Sequence, residues 1–296
     1  MKKGWKIAFI VLGSIAGAVA LDVGISLIVN KATEVETIHN LKGETFNEID
    51  IDVTTADVEF TTYGNEYNVK CIESSYAKHN VRVENKVLKI DSTDTYTPFL
   101  LVSPKRKITI YIPKNITYRL NVHHTTGDLF IVSDYKFSDV TIKGSTGDVK
   151  FSGPNMSGKL DIYQTTGDID IGPNNAQCEI PSAAKIETST GSIKLEAFKC
   201  SGELNLKSST GNKYLDFVRA DKMKITSSTG DVEMKSCDAN ELDIKTSTGD
   251  VTAEFLTSKI VYAKSSTGNI DIPKSTTGGL CSIETSTGDI KVTFKK

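Results

Sequence analysis

The chain has little proline, little histidine and almost no net charge, and each shortage narrows what it can be. Seven Pro in 296 residues, without the Leu, Ala and Glu richness of helical proteins, leave a composition dominated by Thr, Ser, Ile, Val, Lys and Asp, which reads as β. A formal net charge of −2, with no basic face interleaved with aromatics, provides no electrostatic footprint for nucleic acid. The five cysteines, Cys71, Cys178, Cys200, Cys237 and Cys281, lack metal-ligand spacing such as C-x-x-C, and an odd number cannot complete an intrachain disulfide framework. They read as small buried hydrophobes, with a single Cys178–Cys200 disulfide as the alternative. No cofactor motif, no metal-ligand set and no catalytic constellation is legible.

Only one long apolar run is present. Lys2, Lys3 and Lys6 precede the stretch 7–29, interrupted by Asp22. As a helix it would extend roughly 34 Å, enough for the hydrocarbon core of a bilayer. The lysines hold the N-terminus inside and Glu34 and Glu36 follow the far end, so the rest of the chain is expected on the extracytoplasmic side. Ala18-Val19-Ala20 resembles a signal cleavage site, but the run continues past it at full spanning length. An uncleaved single-pass anchor over residues 1–30 is therefore preferred to a removed signal peptide. Gly13 and Gly17 form a G-x-x-x-G pair suited to close packing of two such helices, hence to a homodimer; common small residues are the plainer explanation.

The dominant signal is an internal repeat. A Ser/Thr-Thr-Gly-Asp tetrapeptide or close variant recurs at intervals of 19–24 residues. Its glycines are Gly127, Gly147, Gly167, Gly191, Gly211, Gly230, Gly249, Gly268 and Gly288, read as the structural corners of the repeat. Apolar residues sit seven and five positions before each Gly, as in Leu120/Val122, Leu160/Ile162 and Leu242/Ile244, with mostly polar residues between. A second alternating pair follows at two and four positions, as in Val149/Phe151 and Ile290/Val292. This is the period of strands with one buried face. The copy at Gly211 breaks the pattern with Lys213, which is expected to snorkel outward or mark an irregularity.

The buried parity switches across each Thr-Gly-Asp, so the chain must bend there. Glycine permits the corner, and Asp, or Asn212, Asn269 and Ser192 in its place, offers a short acceptor to nearby backbone N–H groups. Units of about 20 residues cannot bury their own apolar faces but can do so by stacking. The expected fold is all-β: a parallel β-solenoid (β-helix-like) of these coils over 119–296, after an irregular β region at 31–118. Within that region, residues 49–60 repeat the unit with Ala56 at the glycine position and read as a degenerate first coil. Residues 81–90 read as a hairpin turning near Glu84-Asn85-Lys86, and 107–113 as a strand halted by Pro113. The apolar run 96–102 is expected to cover one end of the stack, with contact to a membrane or a partner as the alternative. The last unit ends at Phe294-Lys295-Lys296, where an open parallel edge is blunted by lysines.

The recurring S/T-T-G-D-[IV] units, preceded by the Ile112-Pro113 strand, resemble bacterial β-strand-repeat proteins of the putative-adhesin family, a domain of unknown function, over about residues 45–296. The resemblance is specific for the fold and says little about activity; some relatives are membrane-anchored and associated with cell-envelope stress systems, and it transfers no site residues. Four functions compete. The favoured one is a non-catalytic anchored scaffold that binds an envelope polymer or a surface protein through repeated surfaces. A polysaccharide-acting β-helix enzyme would need clustered acids and bases, whereas most acids sit at the repeated corner and His123 and His124 look like polar variants. A calcium ladder along Asp128, Asp148, Asp168, Asp231, Asp250 and Asp289 would be interrupted by the Asn and Ser copies, which a turn-capping role tolerates. A Thr array for ice or crystal binding would sit on a bend, not on a flat strand. The long interval before Gly191 holds a turn-rich loop, and Pro173, Asn174, Asn175 and Gln177 are its candidate partner-binding residues.

Overall fold

The computed structural model describes residues 34–61, 67–74, 77–94, 106–131, 135–173 and 178–295, and every regular element among them is a strand. Each coil carries one strand before the glycine corner and one after it, and each strand pairs in parallel with its equivalents in the next coils. Val140 lies beside Leu160, Leu160 beside Ala184 and Ala184 beside Leu204 on the first side. Val149, Ile169 and Ile193 form the same ladder on the second. A third, shorter side brings Cys178 beside Phe198 and Ile180 beside Cys200. Because the side chains of a strand alternate in direction, one parity of each side fills a continuous apolar core along the axis. The β-solenoid expected from the repeat is the observed fold. Lys213 continues this register between Ile193 and Val232 without irregularity.

The corner explains why the period is held so tightly. The nine repeat glycines have φ between 131° and 149°, a region L side chains rarely adopt. They also stack on one another. A Cβ on Gly167 would lie 1.9 Å from the carbonyl oxygen of Gly147, and one on Gly147 would lie 2.0 Å from that of Gly127. Further along the rod, a Cβ on Gly230 would lie 2.3 Å from the carbonyl oxygen of Gly211, and one on Gly249 2.2 Å from that of Gly230. Glycine is thus required twice, for its conformation and for the close approach of backbone to backbone. At the first copy a Cβ on Gly127 would lie 2.0 Å from the carbonyl oxygen of Ala56, the residue at the corresponding corner of the degenerate coil.

The ends of the stack differ from a simple reading of chain order. The strands are β1 (Glu34–Asn40), β2 (Glu48–Thr55), β3 (Asp57–Thr61), β4 (Asn68–Ser74), β5 (Ala77–Glu84), β6 (Val87–Asp94), β7 (Lys107–Tyr111), β8 (Thr117–Thr126) and β9 (Leu129–Ile131). The degenerate coil β2–β3 pairs with β8–β9 on one side and with β6–β7 on the other, so it is second in space, not first. The outer rung β6–β7 is then covered by antiparallel strands, β5 on β6, β4 on β7 and β1 on β4. The β5–β6 hairpin turns at Asn85 and Lys86, whose φ values of 52° and 64° suit a tight two-residue turn.

The other end repeats the exchange. The final strands Gly279–Thr287 and Ile290–Phe294 insert between the coil of Gly249 and the coil of Gly268. The expectation that residues 294–296 close the rod is therefore corrected: the terminal rung is Lys259–Thr267 with Ile270–Asp271. Its outer edge is unpaired among the described residues, and Tyr262 and Ile270 are exposed there. Insertion lets the last segment bury apolar residues against neighbours on both sides, as Cys281, Ile283, Ile290 and Val292 do. In the terminal rung, by contrast, Val261, Ala263 and Ile272 are only partly covered.

The expected anchor with Gly13 and Gly17, the run 96–102 and residues 174–177, with Asn174, Asn175 and Gln177, lie outside the described residues; Pro173 is exposed at the end of the strand that precedes that loop. No helix among the described residues is long and apolar enough to cross a membrane.

The corner geometry makes a graded prediction. Gly167→Ala should destabilise by more than about 3 kcal/mol, or prevent folding, because strain and collision coincide. Gly43→Ala, at φ 95° with nothing within 4 Å, should cost only about 1–2 kcal/mol from strain alone. Urea unfolding of both variants checks the ranking, and equal losses would contradict it.

Candidate functional site

At the corner, the repeated acid acts between rungs. The Asp148 backbone N–H donates to Asp128 Oδ1 at 2.8 Å, that of Asp168 to Asp148 at 2.8 Å and that of Ser192 to Asp168 at 2.7 Å. Asn212 accepts from Asp231 in the same way at 2.9 Å, which shows that an amide oxygen serves as well as a carboxylate. The chain Asp231–Asp250–Asp289–Asn269 follows the spatial order of rungs, with distances of 2.7–2.9 Å. The column thus satisfies backbone donors at the bend, a task that does not need negative charge.

A second polar column lies inside the bend, three residues before each glycine. Gln164, Thr188, Ser208, Ser227, Thr246 and Thr285 are buried there. Their side chains satisfy carbonyls that the corner turns inward: Thr188 Oγ1 donates to Gly167 O at 3.2 Å and Thr285 Oγ1 to Gly249 O at 3.2 Å. His124 occupies the same column, fully enclosed, and burial pushes its imidazole below the usual value. Gly144 lies between His124 and Gln164, where a Cβ would collide with both side chains. His123, by contrast, is exposed, with Nδ1 3.1 Å from Asp52 Oδ1.

Lys213 uses this column instead of reaching solvent. It is 0 % exposed, and its Nζ donates to Ser208 Oγ at 2.5 Å, Ser227 Oγ at 2.8 Å and Gly211 O at 3.3 Å. Both outcomes expected for it, snorkelling and a register break, are thereby corrected. The hydroxyl column offers acceptors within the core, so the ammonium stays inside. No carboxylate among the described residues pairs with it, and burial lowers its pKa to about 8.

On the outside of the second strands, Phe130, Lys150, Asp170, Lys194 and Tyr214 stand on five consecutive rungs. They line a shallow groove of about 370 Å³, with Phe130 and Tyr214 each about two-fifths exposed at its ends. The five cysteines are free and buried; burial pushes the thiols of Cys71, Cys237 and Cys281 up to about 12 and that of Cys178 to about 11. Cys200 lies beside Ile180 and Cys178 beside Phe198, so the alternative disulfide between the two cysteines is not formed.

A separate cluster lies in the antiparallel cover at the other end. Cys71 and Glu73, two residues apart on β4, and His79 on β5 are all buried, with their potential ligand atoms within 4.8 Å of one another. Glu73 Oε1 lies 3.1 Å from His79 Nδ1, and Thr37 Oγ1 donates to Glu73 Oε2 at 3.1 Å.

A stack of parallel coils turned by glycine corners, with antiparallel strands over one end, matches a known domain model in two overlapping segments, residues 46–212 and 185–296. The chain belongs to the Toastrack DUF4097 family, a domain of unknown function. Among solved structures it is similar to a putative adhesin from Bacteroides fragilis, at 17% identity and a TM-score of 0.46, over 88% of this chain and 97% of that one. A putative adhesin from Parabacteroides merdae is similar at 14% identity and a TM-score of 0.40, over 90% and 98%. A putative lipid binding protein from Parabacteroides distasonis matches at 16% identity and a TM-score of 0.39, over 88% and 98%. No curated protein matches.

In this Toastrack chain, sequence reasoning located the corner column but missed the inner polar column, the groove from Phe130 to Tyr214 and the cluster in the antiparallel cover. The inner polar column was visible only as a Ser/Thr-rich position three before the glycine. The Cys71–Glu73–His79 cluster was hidden because β4 and β5 meet through a fold-back with no repeat signature.

Lys213 supplies a pH test. Its folded pKa of about 8 lies below the unfolded value near 10.5, so the unfolded chain holds the proton more tightly. The resulting cost is constant below pH 8 and fades as pH rises towards 10.5, which makes stability increase across that window. Lys213→Met should stabilise the protein at pH 7 by roughly 1–3 kcal/mol, and the advantage should shrink by pH 10. Thermal unfolding at both pH values reads it; a variant less stable at pH 7 would contradict the assignment.

Proposed function

We propose that this protein is a non-catalytic, membrane-anchored scaffold that holds its β-solenoid on the extracytoplasmic side and binds an extended envelope polymer along the rod. The observation that carries the proposal is the groove from Phe130 to Tyr214. Five paired rungs at the spacing of a β-sheet extend it over roughly 19 Å. Lys150, Asp170 and Lys194 present alternating charge along its floor, and an exposed aromatic ring closes each end. A linear glycan fits this chemistry: ring faces stack on sugar faces, and the charged floor hydrogen-bonds hydroxyls.

The remaining surface supports a display role. The acids that recur along the rod are engaged in holding one rung to the next, and His124, the histidine nearest that column, is enclosed. The apolar segment 7–29, flanked by Lys2, Lys3 and Lys6, supplies the tether.

Two measurements test the proposal. Co-sedimentation of the protein with purified envelope polysaccharide should show binding that falls at least tenfold in the Phe130→Ala, Tyr214→Ala double variant, with thermal unfolding unchanged. Equal sedimentation of both proteins would remove the groove as the binding surface. Protease treatment of intact cells should digest the solenoid from outside, and complete protection would contradict its extracytoplasmic placement.

A further inference from the structure

We propose that Cys71, Glu73 and His79 form a metal site for a zinc-type divalent cation, which clamps the antiparallel cover at the capped end of the solenoid. Three observations converge on it. The donor set is one thiol, one carboxylate and one imidazole, the three side-chain chemistries that zinc prefers. All three residues are buried, the Glu73 and His79 side chains being 3 % and 1 % exposed, so the donors face one another and not solvent. Their ligand atoms lie within 4.8 Å of one another, and Glu73 Oε1 and His79 Nδ1 are 3.1 Å apart. Ligands of a tetrahedral zinc stand roughly 3.5 Å apart, so small side-chain adjustments would complete the set.

The surroundings fit the same reading. Thr37, on β1, donates to Glu73 Oε2, while Oε1 accepts the backbone N–H of His79 and faces its imidazole Nδ1. Such a hydrogen bond fixes the orientation of a ligating carboxylate. Charge also balances: a divalent ion with a thiolate, a carboxylate and a neutral imidazole is neutral, as an apolar site requires. On binding, the Cys71 thiol releases its proton to solvent, and a metal–sulfur bond forms with no change of oxidation state. Three protein donors leave a fourth position for water.

The position gives the site a purpose. Among the described residues β4 and β5 share a single pair, Ser74 with Ala77, where the cover turns from the β7 side to the β6 side. An ion held by both strands, with Thr37 of β1 behind it, would tie together the elements that protect the outer rung.

The test uses the full-length chain without a polyhistidine tag, purified in mild detergent under reducing conditions, stripped with chelator and titrated with cobalt(II). Wild type should bind one equivalent, develop a near-ultraviolet thiolate-to-cobalt charge-transfer band with strong visible bands of a four-coordinate ion, and lose both when zinc is added. Cys71→Ser should abolish the charge-transfer band, and His79→Gln should weaken binding at least tenfold. Failure of wild type to develop the band, or its persistence in Cys71→Ser, would overturn the proposal and leave a buried Glu–His ion pair beside an inert thiol. The wild-type titration decides even if a variant fails to fold.

Discussion

The structure depends on one contact, the stacking of each corner glycine on the carbonyl of the corner before it. The carbonyl approaches so closely that no side chain fits, and the positive φ admits few residues besides glycine. Once that contact repeats, much else is determined. The strands on either side are held in register, so apolar residues fall on apolar residues through the core. The inward-turned carbonyls need donors, which the inner Ser/Thr column provides, and the outer N–H groups need acceptors, which the Asp/Asn column provides. A corner, two polar columns and an apolar core are thus consequences of a single spacing.

Register along the stack does not dictate the order of coils at its ends. A parallel strand at an open edge gains a neighbour on one side only, whereas an inserted strand gains two. At each end of the parallel stack one segment takes an inserted place: β2–β3 lies between β6–β7 and β8–β9, and residues 279–294 lie between the coils of Gly249 and Gly268. The two ends are nevertheless unlike. One is covered by β1, β4 and β5, and the other presents a parallel edge with Tyr262 and Ile270 exposed.

Much of this was legible in the sequence. The period, the parity switch and the Asn and Ser substitutions led to the solenoid, the corner and a capping acid, because each is a local property repeated nine times. The rung exchange was not legible, since the strands around Gly268 and Gly288 carry the same pattern and either order pairs equally well on sequence. Lys213 misled because a lysine in an apolar ladder normally reaches water, and the acceptors that retain it, Ser208 and Ser227, belong to its own and the next coil. Cys71, Glu73 and His79 gave no signal because a fold-back in a non-repeating region brings them together. The groove from Phe130 to Tyr214 was overlooked for the opposite reason: its residues recur at the coil period and looked like ordinary outward positions.

The central claim is that coils stack corner on equivalent corner without regard to chain order, and engineered disulfides test it directly. Lys245 and Lys264 each face Glu284 on adjacent rungs, from opposite sides. Neighbouring rungs lie about 4.8 Å apart, within reach of a disulfide, whereas rungs two apart lie at roughly 9.6 Å, beyond it. Oxidation should therefore cross-link a Lys245→Cys, Glu284→Cys variant rapidly and leave a Lys245→Cys, Lys264→Cys variant unlinked. Rapid linkage of 245 to 264, with 245 and 284 remaining free, would show that the coils stack in chain order and would contradict the account.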